Sequence, residues 1–368
     1  MKRINQIEPS MDNAEKKELM SVIDSGWYTE SSKTKEFERM FASFVGVKYA
    51  CAVTSGAAAL YVGLKALRIC NGDEVVVPDL TFVACPNSVE ATGAKPVLAD
   101  IEKNTLNLDL SKMSKSVSKK TKAIMPVDFN GRPIDMKVLR EFADKKGMML
   151  IEDAAHAIGC YYNKRHVGTI SDVGIFSFST PKIITTGQGG MIVTNDKQIY
   201  ERAMALKDFG REIGIKKQME KSFSHSTIGY NFKFTEFQAA VGIAQMRKLQ
   251  KRILKKRMMF KKYVDLLSNV EGIEFLKTNL KNVTPWMIDI FLKSSVKRAQ
   301  LIKYLEKKQI GTRIYYPPIH RLKPYRKMDR EYKHASSFSD KGLWLPSSVT
   351  LTDKQIRIVC NEIKQFFK

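Results

Sequence analysis

Asp153 and Lys182 stand 29 positions apart, and each lies at the end of a short apolar run. Met148 to Glu152 is too short for a typical helix and runs into an Asp-Ala-Ala turn, so it reads as a buried strand with Asp153 at its carboxyl end. In open parallel α/β sheets, ligands bind outside the carboxyl ends of the strands, where a carboxylate can meet them. Val173 to Phe178 is a second such run, and Lys182 lies on the loop just past it. Gly187, Gly189 and Gly190 follow, permitting positive φ and close backbone approach before the strand-like Met191 to Thr194. A lysine desolvated at such an edge loses its charge more readily, and an uncharged amine condenses with carbonyl groups. The pair therefore suits covalent carbonyl chemistry, with a solvated strand end and loop as the plainer alternative.

Pyridoxal phosphate is the cofactor that such a pair fits best. Its ring becomes an electron sink when a carboxylate holds the pyridine nitrogen protonated, and Asp153 would be that carboxylate. A seat for the phosphate is also legible. The strand Tyr49 to Val53 passes through Thr54-Ser55-Gly56-Ala57-Ala58 into a helix reaching about Leu67, and a helix N-terminus offers free N–H groups and a favourable dipole to an anion. Turns of this kind occur in any α/β protein, so this one is weak evidence alone.

The segments EDAAHAIG, FSFSTPKIITTGQGGMIVTND and GYNFKFTEFQAAVG, in this order and spacing, resemble the DegT/DnrJ/StrS nucleotide-sugar aminotransferases. These are pyridoxal-phosphate enzymes of the aspartate-aminotransferase-like fold, fold type I. The resemblance implies an α/β chain with a large cofactor-binding domain, residues 1–249, built on a mostly parallel seven-stranded sheet. A smaller C-terminal α+β domain would take residues 250–368. It makes Lys182 and Asp153 the catalytic pair. Gly56 and Ala57 would bind the cofactor phosphate through backbone N–H groups, although Ala57 stands where a threonine is usual. Phe82, in a segment resembling PxxTF, would stack on the ring; His156 would lie beneath it near the phenolic oxygen, and Ser177 would donate its hydroxyl to the phosphate. Gln188 departs from the family's acid at that position and leaves substrate contacts in question.

Substrate contacts are implied for Tyr28 and Thr29, in a segment like SGW(L/Y)T, with an aromatic anchor for the first helix as the competing role. Arg313, Tyr316 and His320, in GTRIYYPPIHRLKPY, resemble an RxxYxPxH segment that closes over the sugar nucleotide. Asn231 would reach across to the partner's cofactor phosphate, which implies a homodimer with shared active sites. The segments TTGQGG, WMIDIF and YYPPIH are most similar to perosamine-synthase-type members. The implied reaction is transfer of the amino group of glutamate to a keto-deoxy nucleotide sugar, best taken as GDP-4-keto-6-deoxymannose. Family dehydratases carry histidine in place of the lysine, so Lys182 argues against a sugar 3-dehydratase, and the intact pair argues against a non-catalytic regulatory relative.

Composition agrees with an ordinary globular enzyme: 368 residues, 43% hydrophobic and 27% charged. That length leads us to expect more than one core. No apolar run is long enough for a membrane span and the N-terminus lacks a signal-like core, so a cytoplasmic protein is expected. Five scattered cysteines give neither a disulfide framework nor a zinc site. The net charge of +24 raises nucleic-acid binding as a rival, with Arg247 to Lys262 its main support. That stretch reads instead as a helix with a solvated basic face and with Leu249, Ile253, Leu254 and Phe260 as its apolar positions, so no specific nucleic-acid partner is expected. Further helices are expected over Asp12 to Ser25, Thr34 to Phe44, Met136 to Lys146, Val296 to Lys308 and Thr352 to Phe367. In the C-terminal part, strands are expected at Trp286 to Leu292 and Gly311 to Tyr316, and the polar connection 211–228 is long enough to be a functional loop.

Overall fold

Seven short apolar runs assemble into one sheet: Tyr49–Val53 (β1), Glu74–Pro78 (β2), Lys95–Ala99 (β3), Thr121–Ile124 (β4), Met149–Asp153 (β5), Val173–Ser177 (β6) and Gly190–Thr194 (β7). The computed structural model describes residues 3–211, 224–328 and 331–368. The strand order is β1-β7-β6-β5-β4-β2-β3, and only β7 runs against its neighbours. Helices between the parallel strands cover both faces, so β5 to β7 are almost wholly buried and their sequences are mostly apolar rather than alternating. Part of the polar connection 211–228, residues 212–223, lies outside the described residues.

The register of β7 builds one wall of the site. Gly190 pairs with Val53 on one side and Ser177 on the other, so the ends of β1 and β6 are drawn together. A Cβ at Gly190 would lie 2.3 Å from the Ser55 carbonyl oxygen, so no side chain fits there. Asp153 pairs with Ile175 on the far side of β6, which places the carboxylate on the same sheet edge.

The helices follow their local signals. Asn13–Ser25 (α1) has the expected capping box, Asp12 with Glu15, and ends at Gly26 with φ of 66°. In Ser32–Val45 (α2), Phe37 and Phe41 are fully buried and Phe44 packs beside them, so the aromatic stripe is core, as expected. The closing helix Asp353–Phe367 has the Thr352/Gln355 box.

The basic stretch belongs to a much longer helix, Glu236–Leu267, with its own capping box from Thr235 and Gln238. The boundary expected after residue 249 falls inside this helix. Leu249, Ile253 and Phe260 are buried as expected, but Leu254 is exposed. Several of the cations are used within the chain: Arg247 pairs with Glu18, Lys248 with Asp12 and Glu15, and Lys262 with Asp353.

Beyond the helix, Ile273–Glu274, Ile288–Leu292, Arg313–Ile314 and Gly342–Leu345 form an antiparallel sheet of four strands. The expected strand over Gly311 to Tyr316 contracts to two residues, and Pro317 and Pro318, which have no N–H to donate, follow it. The first described residues also join this unit, through an Ile4–Ile310 bridge and a Gly311 N–H to Ile4 carbonyl bond of 2.8 Å. Among the described residues no helix is long and apolar enough to cross a membrane.

Candidate active site

A cavity of about 230 Å³ opens at the carboxyl ends of β1, β5 and β6. Its floor is the turn from β1 into the helix Gly56–Ala66. Ser55 caps that helix by accepting from the Ala58 N–H at 3.1 Å, which leaves the first-turn N–H groups of Gly56 and Ala57 for a ligand. The hydroxyls of Ser177 and Ser179 lie 3.3 Å apart beside this turn, and a Cβ on Gly56 would come within 3.1 Å of the Ser177 oxygen. Two hydroxyls and a helix N-terminus converge there, a donor set suited to a phosphate.

Asp153 closes the end of β5. Its Oδ1 accepts the Ala155 N–H at 3.0 Å, and its Oδ2 lies 3.0 Å from the Cys85 sulfur. His156 follows on the same turn, its ring stacked on Trp286 with centroids 3.9 Å apart. Burial, reinforced by the nearby cations Lys182 and Arg313, pulls the imidazole pKa well below its usual value, so the ring is neutral.

Lys182 rides on the loop after β6. This loop is fixed at its base by the Phe178 N–H to Gly189 carbonyl bond of 2.9 Å and by Thr185 Oγ1 to the Phe178 carbonyl, 2.9 Å. Gly187 turns the loop with φ of 80°. The Lys182 amine sits 4.1 Å from the centre of the Trp286 ring, whose Nε1 donates to the Pro181 carbonyl at 2.8 Å. Burial pulls the amine pKa down to about 7; Asp153 works against that shift and Arg313 adds to it. Among the described residues no carboxylate forms an ion pair with this amine, so acid and lysine face one cavity without neutralising each other.

Two aromatic rings and a cation complete the rim. Phe82 leaves 49% of its surface exposed at the cavity, with its ring 5.3 Å from that of Tyr316. A half-exposed phenyl beside a carboxylate and a phosphate cup can stack on a planar heterocycle. The Arg313 guanidinium stands 5.7 Å from the rings of Tyr316 and Trp344. Phosphate cup, stacking face, carboxylate and an amine of lowered pKa together fit pyridoxal phosphate.

Of the residues singled out from sequence, Gly56, Ala57, Phe82, Asp153, His156, Ser177, Lys182, Arg313 and Tyr316 line this one cavity, and Gln188 joins them. Four others lie elsewhere. Tyr28 is exposed and stacks on Phe237 at 5.2 Å, as an anchor for the first helices would, and Thr29 is exposed beside it. Asn231 is exposed on a short segment bridged to Asp208. His320 is fully buried: its Nδ1 lies 2.7 Å from the Asp79 carboxylate, its backbone N–H donates to the same group at 2.8 Å, and its ring stacks on Tyr332. The expectation that His320 faces substrate therefore gives way to a tie between the Pro317–Arg321 segment and the end of β2. Trp286 and Cys85 are the residues that sequence reasoning missed. Trp286 was legible only as the start of a strand, and Cys85 gave no signal.

A larger cleft of about 690 Å³ lies between Lys65, Arg202 and Tyr230, away from the lysine and the acid. Its residues Ser226 to Ile228 follow closely on the undescribed 212–223.

The DegT/DnrJ/EryC1/StrS aminotransferase family model matches residues 9–364. The chain is 35% identical to a GDP-perosamine synthase of Escherichia coli O157:H7, with 100% of this chain and 99% of that protein covered. It is 37% identical to a GDP-perosamine synthase of Vibrio cholerae, with 98% of each covered. Among solved structures, S. venezuelae DesV superposes with a TM-score of 0.92 at 29% identity, covering 100% of this chain and 99% of that one. Fold, cavity and full-length likeness agree: the chain belongs to the DegT/DnrJ/EryC1/StrS aminotransferase family and is a pyridoxal-phosphate-dependent enzyme acting on a nucleotide sugar with an amino donor.

Proposed function

We propose that the chain transfers the amino group of glutamate to the keto carbon of GDP-4-keto-6-deoxymannose, a perosamine-type reaction, and works as a cytoplasmic homodimer. The full-length likeness to two GDP-perosamine synthases carries the choice of sugar, since the cavity alone suits many keto sugars. Exposed Asn231, Tyr230 and Ile228 outside the cavity support the dimer reading, in which the asparagine serves the partner's phosphate.

Bound pyridoxal phosphate supplies an electron sink for bonds broken at the amino-bearing carbon. The N–H groups of Gly56 and Ala57, with the Ser177 hydroxyl, would hold its phosphate, and Phe82 would offer its face to the ring. Asp153 would hold a proton on the ring nitrogen. The Lys182 amine, whose pKa burial lowers to about 7, would take a proton from the donor's α-carbon and return one to the acceptor's carbon. His156 is a neutral wall that can hydrogen-bond without adding charge. Arg313, Tyr316 and Gln188 would face the substrate side, with the antiparallel unit beyond the long helix forming the outer wall.

The test is a screen of GDP-, UDP- and dTDP-linked keto sugars with glutamate, following 2-oxoglutarate. Turnover with the GDP-linked 4-keto sugar above all others is expected. Turnover confined to a UDP or dTDP sugar would overturn the substrate assignment, and sugar conversion without 2-oxoglutarate would indicate dehydration.

A further inference from the structure

The carboxylate of Asp153 is held from behind by a sulfur. Cys85, in the first turn of the helix Ala84–Ala91, places Sγ 3.0 Å from Asp153 Oδ2, and the same sulfur lies 3.1 Å from Thr81 Oγ1. The direction of this chain follows from chemistry. An ionised carboxylate only accepts, so the thiol hydrogen points at Asp153, and the Thr81 hydroxyl hydrogen must then point at the sulfur. All three side chains are buried; Thr81 reaches the cavity lining, whereas Cys85 does not. Burial, with the Asp153 charge adding to it, pushes the thiol well above its usual range, so the donor keeps its proton at any working pH.

We infer that Thr81 and Cys85 are positioning residues that hold the second oxygen of Asp153, so that with the Ala155 N–H fixing the first, the carboxylate keeps one orientation toward the cofactor's ring nitrogen. A thiol is a weak donor, so it orients the carboxylate while withdrawing less of its charge than a hydroxyl would. Donors linked in series polarise one another, which extends the effect to Thr81. This rests on the proposal that Asp153 meets the ring nitrogen.

The experiment titrates cofactor-free protein with pyridoxal phosphate for the native chain and for Cys85→Ala, Cys85→Ser, Thr81→Val and Asp153→Asn. It reads the dissociation constant and the pH midpoint of the bound cofactor's visible absorbance. Cys85→Ala is expected to bind about tenfold more weakly and Thr81→Val roughly threefold, as loss of hydrogen bonds to or toward a charged group implies. Cys85→Ser should restore affinity to within about threefold while moving the pH midpoint, because its hydroxyl is the stronger donor. Native affinity and an unmoved midpoint in Cys85→Ala and Thr81→Val, with weakened binding in Asp153→Asn, would overturn the relay and leave the role of Asp153 standing. Native behaviour in Asp153→Asn would instead overturn the underlying reading of the acid. Should Cys85→Ala fail to fold, the serine and valine variants decide.

Discussion

Lys182 and Lys207 are both buried lysines with carboxylates in their surroundings, and their amines are driven in opposite directions. At Lys207 burial opposes the charge, but the neighbouring Cys51 sulfur, Glu38 at 3.2 Å and Glu30 at 3.1 Å together raise the amine's pKa well above normal. The Ala52 carbonyl accepts a further bond from it at 3.0 Å. At Lys182 the acid is near but not in contact, an aromatic face stands beside the amine, and burial prevails, pulling it down to about 7. Burial alone therefore does not make a reactive lysine. What matters is whether the carboxylate is held back, and at the sheet edge it is engaged by Ala155 and Cys85.

The contrast breaks most visibly under substitution. Lys182→Ala should lower transamination by at least about a thousandfold while leaving the melting temperature near the native value, as judged by 2-oxoglutarate release and calorimetry. Lys207→Met should do the reverse, costing roughly 3 to 5 kcal/mol in urea unfolding because Glu30 and Glu38 would lose the cation between them, with cofactor uptake retained in the folded fraction. His320→Ala, which leaves Asp79 buried without its partner ring, should cost about 1 to 3 kcal/mol with little change in KM, whereas a large KM increase would restore it to the substrate surface.

The smallest effect concerns pH. An unfolded lysine titrates near 10.4. The folded Lys182 amine titrates at about 7, so between these values the folded chain holds fewer protons and stability rises with pH. Lys182→Ala should lose its share of this slope in the cofactor-free protein, and Lys256, also pulled down to about 7 by burial, should keep its own. Because Arg313 adds to the lowering at Lys182, Arg313→Ala should move the midpoint for cofactor uptake to higher pH; an unmoved midpoint would remove Arg313 from the electrostatics of the site.

What was legible in the sequence was local. Asp153 and Lys182 each end an apolar run, and strand register converts that into a shared edge. Trp286 and Cys85 were illegible because their contacts span 105 and 68 positions, to Pro181 and Asp153. The motif holding His320 located the segment correctly but not the direction of the ring, which the buried Asp79 carboxylate settles. The long helix was expected only over its basic part, since residues 239–245 are apolar or buried on every side and show no amphipathic period.

The most direct measurement is borohydride reduction of the cofactor-loaded protein followed by peptide mass spectrometry. The expected result is a phosphopyridoxyl group fixed to the peptide containing Lys182 and lost in Lys182→Ala. Attachment at Lys256 or another lysine, or no attachment at all, would contradict the assignment of this amine as the one poised across the cavity from Asp153.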